Sequence, residues 1–284
     1  MGVKTGRVIA VAVAACLLAG GGPPGSTTDS VPLPAAGAVI PAAVTAPPSP
    51  PAVEAVPAPS VPAPPPPLPG EIISHPVTGR PTVVVEDVEK SALVIGDSQA
   101  GPSTWVGQGL MLAGYPAVIR GAGGTGYVQG NGVVSGYAQA LESQQWLLPW
   151  GTPSLIILQG GGNDTAYPPE AIRAGALQLI RDIRQSYPGA RILMVGVIGD
   201  GTGPRQGVDN VLAATAREEG ITFLSPGQWW SRYGLTGALR PDGRHLSPEG
   251  HRIAAEVFAR EVGALAPPDT AARAVPDPRI RSLP

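Results

Sequence analysis

Ser98 ends the stretch Ala92-Leu93-Val94-Ile95-Gly96-Asp97-Ser98, where an apolar run stops abruptly in a Gly-Asp-Ser turn. A serine hydroxyl becomes a nucleophile only beside a base that takes its proton. The chain offers three histidines. His75 precedes Pro76 without metal-ligand spacing to another His or Cys and reads as a surface residue, and His251 falls at an exposed position of the last expected helix. His245 differs, because Asp242 stands three residues before it in Arg240-Pro241-Asp242-Gly243-Arg244-His245-Leu246. In a tight turn that spacing lets the carboxylate accept the ring Nδ1–H, fixing the tautomer and leaving Nε2 free for the Ser98 proton. Charge that builds on an attacked carbonyl oxygen needs donors, and two glycine-rich stretches supply them. Gly121-Ala122-Gly123-Gly124-Thr125-Gly126 can turn backbone N–H groups toward an anion, and Gly160-Gly161-Gly162-Asn163-Asp164 adds the Asn163 amide. Together with the Ser98 N–H they would surround one oxyanion, as acyl transfer requires. Asp97, Asp164 and Asp200 read as carboxylates that tie loops and turns.

Those residues can meet only if particular elements carry them. From residue 91 onward, short apolar runs alternate with longer mixed segments, the rhythm of a parallel α/β sheet. The expected strands are 92–95, 117–120, 154–159, 191–198 and 221–224, and the expected helices 105–113, 133–147, 169–186, 207–219 and 247–262. Right-handed crossovers restrict the strand order, and a flavodoxin-like 2-1-3-4-5 order in a three-layer α/β/α sandwich fits. That order puts the loops after Arg120 and Gln159 on either side of Ser98. The fifth strand would lie three places from the first, about 14 Å at roughly 4.8 Å per strand. Residues 225–240, with no evident strand or helix, are long enough to bring His245 back across that gap, with Trp229, Trp230 and Tyr233 pinning the loop by packing.

Composition bounds the rest. Of the 35 prolines, nearly half lie between Pro23 and Pro69, a stretch too poor in large apolar residues to fold. The expected organisation is a signal peptide or N-terminal anchor over 1–22, a Pro/Ala-rich linker over 23–70, an arm or edge strand over 71–90, one catalytic domain over 91–266 and a frayed tail over 267–284. Lys4 and Arg7 before an apolar segment of about a dozen residues have the form of an export signal, too short for a spanning helix of roughly 20 residues. Cys16 is the one cysteine. It reads either as a lipid anchor in a lipobox-like Val-Ala-Ala-Cys or as part of a discarded signal peptide, and the apolar run through Leu17 and Leu18 favours the second. A net charge of −2 gives no reason to expect nucleic acid or an anionic membrane as partner. No metal and no cofactor is expected, since no His or Cys pair has ligand spacing.

The four blocks resemble the SGNH or GDSL hydrolases: Gly96-Asp97-Ser98, a glycine within 121–126, Gly161-Gly162-Asn163-Asp164 and Asp242 to His245, in that order along the chain. Gln99 stands where the common Gly-Asp-Ser-Leu form has leucine. The resemblance implies an esterase or lipase with Ser98 as nucleophile, His245 as base and Asp242 orienting it. It also implies an oxyanion hole of Ser98, Gly124 and Asn163, with Gly123 and Gly126 as alternatives in the glycine position.

The expected function is therefore an exported, monomeric serine esterase acting on short-chain acyl or acetyl esters of envelope glycans or lipids, or of small molecules. An acyltransferase with the same triad, or a non-catalytic envelope-binding module, are the alternatives. Dinucleotide binding by Gly121 to Gly126 is disfavoured, because the following Tyr127-Val128-Gln129-Gly130-Asn131-Gly132 is too rich in glycine to open a helix.

Overall fold

A computed structural model of the chain describes residues 65–265. In chain order its elements are β1 (Ile72–Ser74), β2 (Pro81–Val84), β3 (Ala92–Gly96), α1 (Trp105–Leu112), β4 (Ala117–Gly121), α2 (Tyr137–Glu142), β5 (Leu148–Trp150), β6 (Leu155–Gln159), α3 (Pro169–Ser186), β7 (Ile192–Val195), α4 (Gly203–Glu218), β8 (Thr222–Leu224), α5 (Trp229–Arg232) and α6 (Pro248–Ala264). The signal peptide, most of the linker and the tail expected from the sequence lie outside the described residues. Among the described residues no helix is long and apolar enough to cross a membrane.

Five strands form an all-parallel sheet in the order β4-β3-β6-β7-β8, the 2-1-3-4-5 arrangement expected. β3 and β6 are buried along their whole length, as strands covered on both faces must be. Alternation divides their side chains between two cores. Leu93, Ile95, Ile156 and Leu158 pack with α2, α3 and α4, whereas Ala92, Val94, Leu155 and Ile157 pack with α1, α5 and α6. α3 presents Ile172, Ala176, Leu179, Ile180 and Ile183 inward at helical spacing. α6 starts where Ser247 caps it, its hydroxyl accepting the Gly250 N–H at 3.2 Å, with Pro248 in the first turn.

The differences from expectation have local causes. Residues 133–147 yield only the six residues of α2, because the chain turns at Gln144, which has φ 61°, and then pairs as β5 with β2. That pairing joins Thr82 to Leu148 in a small separate sheet, β1-β2-β5, a tertiary partner that no local pattern announces. β7 ends at Val195: the Gly196 N–H still reaches the Leu224 carbonyl at 3.0 Å, but the Val197 N–H is taken by the Asp209 carboxylate at 2.9 Å. α4 begins at Gly203, ahead of the expected 207, with Pro204 in its first turn. The segment 225–240 is not bare loop: it holds α5 and a short 3-10 turn at Leu235–Ala238.

Two histidines read as surface residues are buried. His75 is 6% exposed, its Nδ1 accepting the Val77 and Thr78 N–H groups at 3.2 Å each, with its ring edge-on to Tyr187. His251 is 5% exposed and accepts the Trp105 N–H at 3.2 Å, joining α6 to the first residue of α1. Burial, with help from the Arg240 and His245 charges, lowers its pKa to about 4. A histidine depressed in the folded state contributes stability that is present above its ordinary value of 6.5 and is lost as pH falls toward 4.

One carboxylate fastens two loops. Asp164, in the loop after β6, accepts the N–H groups of Tyr127, Val128 and Gln129 at 2.8, 3.0 and 2.8 Å, so the loop after β4 is held against it. Burial still raises its pKa. Asp164→Ala would leave three N–H donors without an acceptor, one buried and two part-buried, and is expected to cost about 3 kcal/mol; urea unfolding measures it, and a loss under about 0.5 kcal/mol would contradict this role. For His251, wild type is expected to lose on the order of 2 kcal/mol more than His251→Gln between pH 7 and pH 4. Parallel pH dependences in the two proteins would refute the assignment.

Candidate active site

The turn after β3 is forced to be tight. A Cβ on Gly96 would lie 2.5 Å from the Ala100 Cβ and 2.9 Å from Gln159 Oε1, so only glycine lets the chain fold back there. Asp97 Oδ1 accepts the Gln99 N–H at 2.8 Å, and the Ala100 N–H closes on the Asp97 carbonyl at 3.2 Å. The next residues lead into α1 through Thr104, whose hydroxyl donates to the Gln99 carbonyl at 2.5 Å. Ser98 is left at the strand tip with its hydroxyl pointing out of the sheet end. Burial raises the Asp97 pKa to about 6.

His245 arrives by the long return from β8. Trp229 lies edge-on to Trp105 at 5.4 Å and to Tyr233 at 5.9 Å, which anchors this segment in the core beneath α1 and α6 and agrees with a packing role. A bridge between Leu239 and Leu246 then closes a turn, helped by Gly243 at φ 63° and by the Arg240 N–H on the His245 carbonyl at 2.7 Å. Within that turn Asp242 does two jobs. Its Oδ1 accepts the N–H groups of Arg244 and His245 at 2.8 and 2.9 Å, and its Oδ2 accepts the His245 Nδ1–H at 2.8 Å. Those bonds, with the backbone N–H of His245 foremost, hold its carboxyl far below the usual range. The opposite ring nitrogen, Nε2, receives the Ser98 hydroxyl at 2.9 Å.

A cavity of about 380 Å³ opens beside that contact, lined by Ser98, Gly123, Gly124, Asn163 and His245 among others. Gly124 has φ 78°, a left-handed conformation that glycine adopts freely. Among the described residues the N–H groups of Ser98, Gly123 and Gly124 have no acceptor. Gly126 is removed from the alternatives for the glycine position: its N–H is used by the Gln129 carbonyl at 2.8 Å and the Asp164 carboxylate packs against its Cα. Gly123 and Gly124 both face the cavity. Asn163 donates one Nδ2 hydrogen to the Thr125 carbonyl at 2.9 Å, which orients the amide and leaves its second hydrogen available. The arrangement can therefore take a proton from Ser98 and offer hydrogen bonds to an oxygen beside it. Asp200 lies outside the cluster as a turn residue, accepting from Thr202.

Gln99, Gln159, Arg205 and Arg244 also line the cavity, beyond the site residues expected from the sequence. For Arg205 a signal existed: a cation in the first turn of a helix opposes the macrodipole and needs another reason to be there. Among the described residues no group of three or more His, Cys, Asp or Glu is placed to hold a metal ion.

No curated protein matches the chain in sequence. Among solved structures it is similar to a family two carbohydrate esterase from Clostridium thermocellum in complex with cellohexaose, at TM-score 0.50 and 16% identity over 66% of this chain and 68% of that one. It is also similar to Est24, a carbohydrate acetylesterase from Sinorhizobium meliloti, at TM-score 0.48 and 19% identity over 62% of this chain and all of that one. At such identities the first of these likenesses speaks for the fold. The sequence itself goes further, for residues 94–253, more than half of the chain, match the GDSL-like lipase/acylhydrolase family, and the chain belongs to this family of ester-hydrolysing enzymes.

Proposed function

We propose that the protein is an exported serine esterase that removes short acyl groups, acetyl foremost, from envelope glycans or other polar alcohols through a Ser98-His245-Asp242 triad. The observation that carries this reading is the relay from the Ser98 hydroxyl to His245 Nε2 at 2.9 Å and from His245 Nδ1 to Asp242 Oδ2 at 2.8 Å. Ser98 Oγ attacks the ester carbonyl as His245 takes its proton. The negative oxygen accepts from the N–H groups of Ser98 and Gly124 and from the Asn163 amide. His245 returns the proton to the leaving alcohol, and water then releases the acid from Ser98 by the same steps in reverse order. Asp242 holds the ring in the one tautomer that serves both transfers, and its carboxylate stabilises the imidazolium between them.

The preference for short acyl groups rests on the cavity wall. Val197 and Ile198 are its larger apolar members, beside Asp97, Gln99, Gln159, Asn163 and two arginines. A long acyl chain finds little apolar surface there to offset its ordering. Export rests on the N-terminal sequence pattern, and the likeness to carbohydrate esterases agrees with a glycan ester.

Ser98→Ala is expected to reduce kcat for nitrophenyl acetate by about a thousandfold or more. Asn163→Ala should reduce kcat by about 10²–10³ with a smaller change in KM, because the amide acts on charge present only in the transition state. Steady-state kinetics of both variants check this. A Ser98→Ala protein within tenfold of wild type would remove the proposal.

A further inference from the structure

Arg205 stands in the first turn of α4, where helix electrostatics disfavour a cation. Its guanidinium is half-buried, donating from Nη1 to the Ile198 carbonyl at 2.9 Å and lying over the Trp230 ring at 5.1 Å. It reaches the cavity beside the Asn163 loop: a Cβ on Gly162 would lie 4.0 Å from its Cζ. Arg244 lines the same cavity, and the bond from its N–H to Asp242 fixes its backbone next to His245. Among the described residues neither guanidinium has a carboxylate within ion-pair distance.

The carboxylates that face Arg205 are Asp97, Asp200 and Asp242, and each is engaged within its own turn. Asp97 accepts from Gln99, Asp200 from Thr202, and Asp242 from Arg244 and His245. Desolvation lowers the Arg205 pKa, the mark of a charge held partly out of water without a full partner. Arg244 is exposed and reaches the same cavity from the His245 turn. A wall with two cations that have no carboxylate partner suits a ligand carrying an oxyacid group, which a plain hydrocarbon ester lacks.

From this we infer that Arg205, with Arg244, makes the site selective for esters bearing a carboxylate close to the scissile bond, such as acyl esters of acidic sugars or monoesters of dicarboxylic acids. The inference rests on the Ser98 chemistry of the proposed function and adds its substrate class. Arg205 would bind the carboxylate through the guanidinium edge not used by Ile198, and Trp230 would keep that edge in place.

Two pairs of substrates separate the possible positions of the charge. The monophenyl ester of glutaric acid against phenyl valerate places it in the acyl part; O-acetylated methyl glucuronoside against O-acetylated methyl glucoside places it in the alcohol. Wild type is expected to prefer the charged member of one pair by about tenfold or more in kcat/KM at low salt, with the preference shrinking as salt rises. Arg205→Gln should lower that ratio by about tenfold, and Arg205→Lys by less, since it keeps charge and loses the fork. A ratio cancels any fraction of variant that fails to fold. Ser98→Ala protein, titrated by NMR, should bind methyl glucuronoside or glutarate more tightly than methyl glucoside or valeramide, a readout that needs no turnover. No charged preference in either pair together with equal binding would overturn the inference, as would a preference unchanged in both Arg205→Gln and Arg244→Gln. In those cases neutral-ester hydrolysis that still depends on Ser98 leaves the proposed function standing. Hydrolysis that survives Ser98→Ala removes the proposed function itself.

Discussion

The 2.9 Å hydrogen bond between Ser98 Oγ and His245 Nε2 joins positions 147 residues apart, and most of the fold can be read as what it takes to hold that distance. One end is fixed by β3, an inner strand of the sheet buried on both faces, closed by a turn with no space for a side chain at Gly96. The other end sits in a turn fixed by Asp242, whose two oxygens bind the backbone of the turn and the ring it carries. Because one carboxylate does both, ring orientation and turn geometry cannot drift independently. The long return from β8 is pinned by Trp229 against Trp105, so the histidine is delivered by core packing.

The loops around Ser98 share a device. A buried aspartate braces each: Asp97 closes the turn after β3 on itself, Asp164 binds the loop after β4 to the loop after β6, and Asp209 joins the loop after β7 to the end of β8 through the Val197 N–H and the Ser225 hydroxyl. Burial raises the pKa of all three, so each is a local cost offset by the backbone donors it satisfies. Rigid loops of this kind suit a site that works by placing donors in advance, since no reorganisation is then needed when charge appears on the substrate oxygen.

How much of this was legible in the sequence depends on whether the cause was local. The five parallel strands, their order, the amphipathic α3 and the capped α6 follow from short-range patterns and handedness rules. The Ser98, Asn163, Asp242 and His245 positions follow from strand tips and a three-residue spacing, and the structure brings these residues together. What escaped was set by distant partners. β5 exists because β2 is there to pair with it, and His251 is buried because the first turn of α1 needs an acceptor. Arg205 enters the cavity because Trp230, itself delivered by the return loop, lies beneath it. The choice among the glycines of 121–126 was set the same way, since Gly126 is separated from Gly123 and Gly124 by the Gln129 carbonyl that takes its N–H and by the Asp164 carboxylate against its Cα.

Ser98 is proposed to be a nucleophile activated by His245 across that single hydrogen bond. Labelling with a serine-directed phosphonate, read by peptide mass spectrometry, is the sharpest test of that role. One adduct, on the peptide containing Ser98, is expected to form in wild type and to fail to form in His245→Ala at neutral pH. An adduct on another residue, or equal labelling of Ser98 when His245 is replaced, would contradict it.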